Sequence, residues 1–147
     1  MTTYNPPVVD SGLGIPAQSS DVIGARPQPL FLSDHPDAIS TAYAVAASQT
    51  LVAGTVVGLD ANNRVVPAFY HATPASRINI IGVLAEAITT DSSTNYKGAL
   101  VFVSGHFNDA RLTWDASFVS QATKDVMINT LGVLGRIKVG TIKTFTP

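Results

Sequence analysis

The chain of 147 residues contains no cysteine, so it cannot form a disulfide, a thiolate metal site or a thiol nucleophile. Charge is also scarce, because Lys, Arg, Asp and Glu together make up 13% of the residues, about half of the usual share. The net charge of −1 gives no long-range attraction to nucleic acid or to an anionic membrane. We therefore expect no nucleic-acid partner and a surface built to be covered.

Long apolar runs are absent as well. The longest candidate, residues 78–88, contains Glu86 and falls short of the roughly 18 apolar residues that a membrane-spanning helix needs. The first seven residues lack the basic and apolar regions of a secretory signal. These features predict a soluble protein that is made in the cytoplasm and has no membrane partner.

Side chains that could carry out catalysis are few. The segment Ser104-Gly105-His106 does not form the Gly-x-Ser-x-Gly pattern of serine hydrolases. His35 with Asp37 and His106 with Asp109 could each approach a metal ion, but neither pair has zinc-type spacing or further ligands in view. We therefore predict no catalytic residue, no metal site and no cofactor.

Proline is concentrated at the start of the chain, where six of the nine prolines precede residue 41. This composition predicts an extended N-terminal arm, residues 1–40, rather than a helix or a central strand. A disordered tail or a wrap on its own domain is the alternative, although such tails are usually poor in large apolar groups. An arm that becomes ordered on a partner fits better, and its apolar side chains are the predicted contacts: Tyr4, Val8, Val9, Leu13, Ile15, Ile23, Leu30 and Phe31.

Residues 41–147 show the alternation and turn residues of a β-rich body. A short strand is predicted at residues 43–46, and a hairpin is predicted where the segment Asp60-Ala-Asn-Asn63 separates two apolar runs. Residues 78–88 and 99–103 are apolar on both alternating faces, which is typical of strands covered on both sides.

One helix is predicted after Ser120, which is a suitable N-cap, with Gly132 and Gly135 available for its C-terminal end. A final strand over residues 136–145, with a bulge at Gly140, completes the body. The apolar face of the helix is predicted to be Ala122, Val126, Met127, Thr130 and Leu131.

The single tryptophan, Trp114, is interpreted as a packing or subunit-interface residue rather than as a platform for a ligand. Leu112 lies two residues earlier, so both side chains share one face of an extended segment.

Four segments, taken in order, resemble the lambda-type phage head decoration proteins, also called capsid cement proteins. They are Leu51-Val-Ala-Gly-Thr-Val-Val-Gly58, Asn79-Ile-Ile-Gly-Val-Leu-Ala-Glu86, Val101-Phe-Val-Ser-Gly-His-Phe-Asn108 and Leu112-Thr-Trp114. The resemblance covers about residues 41–139. It departs from the lambda protein where Asp115, rather than proline, follows Trp114.

The resemblance implies a mainly β fold of the β-clip type, a small incomplete barrel with one short helix. It also implies a homotrimer on the outer surface of the expanded icosahedral head, at three-fold and quasi-three-fold positions. There the protein would bind the major capsid protein and stabilise the virion against the pressure of packaged DNA. In this family an N-terminal segment becomes ordered on contact with the capsid protein.

A second interpretation comes from a different class of protein. A small β-barrel carbohydrate-binding or adhesin-like module of a phage tail or surface structure would have the same composition, with loops around His71 and His106 as its site.

Overall fold

The computed structural model describes residues 29–93, 96–130, 133 and 135–142. Nine strands, one α-helix and two short 3-10 helices occur in this part of the chain. The strands are β1 (Phe31–Ser33), β2 (Ile39–Val45), β3 (Thr50–Leu51), β4 (Val56–Leu59), β5 (Val65–Pro67), β6 (Ile80–Leu84), β7 (Ile88–Thr89), β8 (Tyr96–Asn108) and β9 (Ile137–Gly140). The helix α1 covers Gln121–Ile128, and the 3-10 helices cover Pro74–Ser76 and Asp109–Arg111.

The 13-residue strand β8 organises the sheet. It pairs antiparallel with β2 on one side and with β6 on the other, while its last residues pair with β1 and with the parallel strand β9. The order β8-β2-β5-β4-β6 returns from β6 to β8, but β2 and β5 meet only at Val45 and Val65. The predicted mainly β fold, a small incomplete barrel with one helix, is confirmed.

The predicted hairpin is formed by β4 and β5, which pair antiparallel with Leu59 opposite Val65. Its turn is held by Asp60, whose Oδ1 accepts hydrogen bonds from the backbone N–H groups of Asn62 at 2.8 Å and Arg64 at 2.9 Å. Asn63 has a φ of 59°, a left-handed conformation that asparagine tolerates well. The turn residues read from the sequence therefore act as predicted.

Two core clusters lie on opposite sides of the central strands. Adjacent residues of one strand enter different clusters, such as Val83 and Leu84 of β6, which explains why the sequence is apolar on both alternating faces. The first core cluster consists of Val56, Ala68, Ile80, Val83, Phe107, Phe118, Met127, Val133 and Ile137. The second core cluster consists of Val45, Leu51, Val57, Val65, Leu84, Ile88, Ala99 and Val101.

The body begins earlier than the expected boundary at residue 41. Phe31 lies opposite Phe107 in the β1–β8 pair, and its ring centroid is 5.0 Å from that of Phe102. Leu30 also packs against the first core cluster. Both side chains were expected to be arm contacts, and the structure places them on the body instead because they cover an apolar end of β8. The other predicted arm contacts lie outside the described residues: Tyr4, Val8, Val9, Leu13, Ile15 and Ile23.

The helix begins as predicted but presents a different face to the core. Ser120 accepts a hydrogen bond from the Thr123 N–H, and the Thr123 side chain returns a contact to the Ser120 backbone, which forms a capping box. Of the predicted apolar face, Met127 is buried, whereas Val126 is 45% exposed and Ala122 is also exposed. The helix ends at its C-cap, Asn129, and the predicted positions Leu131 and Gly132 lie outside the described residues.

The other strand predictions need adjustment at their ends. The strand expected at residues 43–46 starts at Ile39, four residues earlier. The run over residues 78–88 is divided into β6 and β7, and the last strand covers Ile137–Gly140. Residues 143–147, which the predicted last strand included in part, lie outside the described residues.

Candidate functional site

Trp114 connects three elements at the edge of the first core cluster. Its indole Nε1–H donates a hydrogen bond to Oδ1 of Asp109 at 2.8 Å, and its ring centroid lies 4.9 Å from that of Phe118. The Nζ atom of Lys124 lies 4.8 Å from the centroid of the indole ring and 3.1 Å from the same Asp109 oxygen. Leu112 packs against the same cluster. The two residues predicted as packing residues thus lie together, with the indole half-buried.

The candidate catalytic groups have structural partners. His106 Nδ1 lies 2.9 Å from the hydroxyl of Ser33, and that hydroxyl donates to the carbonyl oxygen of His35 at 3.0 Å. The direction of the contact between the hydroxyl and the imidazole depends on the tautomer of His106, and the contact links β8 to the loop that follows β1. His35 Nδ1 lies 3.8 Å from Asp37, and both side chains are more than 80% exposed.

Metal coordination would need at least three suitable side chains in one place. Among residues 29–93, 96–130, 133 and 135–142, no group of three His, Cys, Asp or Glu side chains could hold a metal ion. Asp109, which was considered with His106, is instead paired with Lys124 and Trp114.

A perturbed carboxyl group occurs in the β4–β5 turn, away from these groups. Burial alone would raise the pKa of Asp60, but hydrogen bonds from the backbone of Arg64 and Asn62 and the Arg64 guanidinium together lower it. The Arg64 Nε lies 3.4 Å from Oδ2 of Asp60. These partners hold the turn, so the low pKa of Asp60 has a structural cause.

The carbohydrate-binding interpretation places its site at the loops around His71 and His106. His71 follows β5, where its ring stacks at 6.5 Å on Phe69 and its Nδ1 accepts a hydrogen bond from the Thr73 N–H. His106 lies on β8 and contacts Ser33. The two imidazoles therefore belong to different elements and have different neighbours.

Several large apolar side chains are exposed on the described part of the body, and they lie on different elements. Val119, just before α1, is 81% exposed, and Ile39 on β2 is 53% exposed. The others are Val52, Phe69, Leu100, Val126 and Ile142. Apolar side chains scattered singly over a surface are common in soluble domains, so these positions alone do not define a contact patch.

The first four residues of β2, Ile39–Ala42, are exposed on both faces of the strand. One edge of β2 pairs with β8, whereas the other edge pairs with β5 only at Val45. Within the described chain, residues 39–43 therefore have a free strand edge. Residues 39 and 40 were expected to belong to the arm; the β-branched residues Ile39 and Thr41 were the signal for a longer strand.

A groove lies beside the start of this edge. It has a volume of about 420 Å³ and is lined by Phe31, Leu32, Ser33, Asp34, Asp37 and Ala38. Residues 34–38 connect β1 to β2, so the groove and the free edge are continuous along the chain.

None of the described helices has the length and apolar character needed to cross a membrane. The described strands form an incomplete barrel with one helix, and together they define a small β-rich domain. The family model of bacteriophage lambda head decoration protein D matches residues 22–136, which is most of the chain. The chain therefore belongs to the lambda-type head decoration family. Membership of this family makes it a structural component of a phage capsid. A search of curated proteins found no match.

The extent of the match bears on the expected boundaries. The family region starts at residue 22, within the predicted arm, and includes β1. Trp114 lies within the matched region, although Asp115 follows it in place of proline.

Proposed function

We propose that the protein binds the outer surface of the expanded icosahedral head as a homotrimer and stabilises the shell against the pressure of packaged DNA. Membership of the head decoration family is the observation that carries this proposal. The trimers would occupy the three-fold and quasi-three-fold positions and bind the major capsid protein. In this proposal the chain is not an enzyme and binds neither nucleic acid nor membrane.

The composition of the body supports a protein that acts by contact alone. The chain has few charges and several exposed apolar side chains, which favours association by burial of apolar surface. Such burial contributes about 25 cal/mol of favourable free energy per Å² of apolar surface. Lys124 and Asp109, which lie close to Trp114, satisfy each other within the body. The exposed side chains Val119 and Val126 at α1 remain available for an interface between subunits.

Three linked subunits would hold the shell more firmly than one. When one subunit of a trimer is bound, the other two are held near their own binding positions, which raises their effective concentration. Release then requires all three contacts to open together. This explains why a domain with modest individual contacts can stabilise a shell under pressure.

The arm is proposed to supply part of the capsid contact. Its predicted contacts before the described residues are Tyr4, Val8, Val9, Leu13, Ile15 and Ile23, whereas Leu30 and Phe31 belong to the body. We propose that residues 1–28 bind the major capsid protein through these apolar side chains and through backbone pairing.

The test uses expanded heads of the phage that encodes this sequence, prepared without the protein. Purified protein is added, and its binding, its position on the head by electron microscopy, and the temperature at which the heads release DNA are measured. We expect trimers at the three-fold positions and a higher release temperature. A glycan array serves as the control, because glycan binding without head binding would contradict the proposal and favour the carbohydrate-binding interpretation.

A further inference from the structure

We propose that the free edge of β2, residues 39–43, with the adjoining groove, accepts an extended basic segment of the capsid shell as an added strand. This inference rests on the proposed function and names a contact on the body that is separate from the arm.

The free edge has the properties of a strand-addition site. An unpaired edge presents backbone N–H and C=O groups that can pair with another chain, and natural proteins usually protect such edges with charge or proline. Residues 39–43 have the sequence Ile-Ser-Thr-Ala-Tyr, which contains neither. Five residues of strand span about 17 Å, enough for a short added strand.

The described part of the body leaves this strand exposed. Residues 39–42 are exposed on both faces, although the register with β8 is regular from Ser40 opposite Phe102 to Tyr43 opposite Ala99. An added strand would pair with the open edge and cover Ile39, which is 53% exposed. Backbone pairing would give affinity, while the alternating side chains would fix the register.

The groove identifies the chemistry of the occupant. It is apolar at Phe31, Leu32 and Ala38, and it carries the carboxylates of Asp34 and Asp37 with no lysine or arginine among its described lining residues. The charged or titratable neighbour in this loop is His35, 3.8 Å from Asp37. An extended segment that pairs with β2 and continues into the groove would therefore place a lysine or arginine against these acids.

The negative charge of the groove favours a basic shell segment over a second copy of this chain as the occupant. A second copy of the chain pairing through the same edge would bring a further pair of acidic residues to the contact and no compensating cation from the lining. A shell segment with a basic side chain instead brings a compensating positive charge to the two carboxylates. The contact should therefore weaken as salt rises, because the acids are exposed and the attraction is screened.

The experiment measures binding to expanded heads prepared without the protein, using Ile39→Lys and the double variant Asp34→Asn/Asp37→Asn. Val52→Lys is the matched control for the first, because Val52 is 51% exposed against 53% for Ile39 and lies on another part of the body, directly after β3. Asp125→Asn on α1 is the control for the loss of negative charge. Melting temperature and light scattering confirm that each variant is folded and has the wild-type oligomeric state.

We expect Ile39→Lys to weaken head binding by about tenfold or more, because a lysine on the edge opposes an added strand and repels its cation. The double variant should weaken binding by about threefold to tenfold and should reduce its salt dependence. Both control variants should bind as the wild type does.

Wild-type affinity in Ile39→Lys would overturn the inference while leaving the proposed function intact. Loss of the trimer in Ile39→Lys would also overturn it, because a second copy would then cover the edge. If the wild-type protein itself did not bind the heads, the proposed function would fail first, and this inference would fail with it.

Discussion

The indole N–H of Trp114 donates to the same Asp109 oxygen that receives Lys124, at 2.8 Å and 3.1 Å respectively. One carboxylate therefore joins the 3-10 helix, the segment around Trp114 and the helix α1. Because Lys124 also lies over the indole ring, at 4.8 Å from its centroid, the three side chains constrain one another.

We expect Trp114→Ala to lower the free energy of unfolding by about 2 to 3 kcal/mol. Replacing a fully buried aromatic residue by alanine costs roughly 3 to 5 kcal/mol of stability, and the cost is smaller here because the indole is only half-buried. Trp114→Phe keeps the contact with Phe118 but removes the hydrogen bond to Asp109, so its loss should be nearer 1 kcal/mol. Urea unfolding measures both variants. Equal stability of Trp114→Ala and the wild type would show that the indole contributes nothing to packing.

The stability of the β4–β5 turn should depend on pH through Asp60. The pKa of Asp60 is lowered in the folded protein from its ordinary value of 3.8, so the ionised form stabilises the fold above that pH. The stabilisation is lost as the pH falls below 3.8 and through the folded pKa. Asp60→Asn should therefore cost under about 1 kcal/mol at neutral pH and less at about pH 3, where the carboxylate begins to lose its charge.

Chemical unfolding of Asp60→Asn and the wild type at both pH values checks this prediction. Asp125→Asn, which removes an exposed acid on α1, controls for the change in net charge. A difference between Asp60→Asn and the wild type that persisted unchanged at low pH would contradict the electrostatic cause.

Gly82 lies where β6 and β8 approach each other closely. A Cβ atom at this position would collide with the carbonyl oxygen of Phe102 and would lie 2.7 Å from Cγ1 of Val101. We expect Gly82→Ala to destabilise the protein by about 2 to 3 kcal/mol, because the backbone pair would have to separate. Gly98→Ala is the comparison. A Cβ atom added at Gly98 meets no atom within 4 Å, so only the left-handed φ of 93° disfavours alanine there. Its cost should be about 1 kcal/mol, and equal costs would show that the close approach does not matter.

Two N-terminal deletions separate the arm from the body. Removal of residues 2–21 leaves the family region, which starts at residue 22, and should leave the melting temperature and the trimer unchanged while weakening head binding. Removal of residues 2–40 also deletes Phe31, which packs 5.1 Å from Phe107 between ring centroids. This larger deletion should lower stability as well, by about 3 kcal/mol. Wild-type decoration by the shorter deletion would show that the first 21 residues are dispensable.

The sequence predicted the elements whose causes are local. The β4–β5 turn depends on Asp60 and Asn63, and the start of α1 depends on Ser120, so short-range rules were sufficient. The central strands were also recognised, because residues such as Val83 and Leu84 face two different cores.

The sequence was less informative where distant segments decide the outcome. Proline content placed Leu30 and Phe31 in the arm, but the apolar end of β8, more than 70 residues away, holds them on the body. The helical spacing of Val126 and Met127 allowed either residue to face inward, and the position of the first core cluster selects Met127. The free edge of β2 depends on how far β5 extends, which no local pattern contains.

The junction at Pro29 and Leu30 has a mechanical consequence for a protein attached through its N-terminal residues. The side-chain amide of Asn108 donates to the Pro29 carbonyl oxygen at 3.1 Å, and its backbone N–H donates to the Leu30 carbonyl oxygen at 2.8 Å. Asn108 is fully buried and ends β8, the strand that pairs with β1, β2, β6 and β9. If the first 28 residues are held by the shell, as proposed, tension on them would pass directly to β8 and would be shared among the four strands paired with it, so the load would be distributed through the sheet.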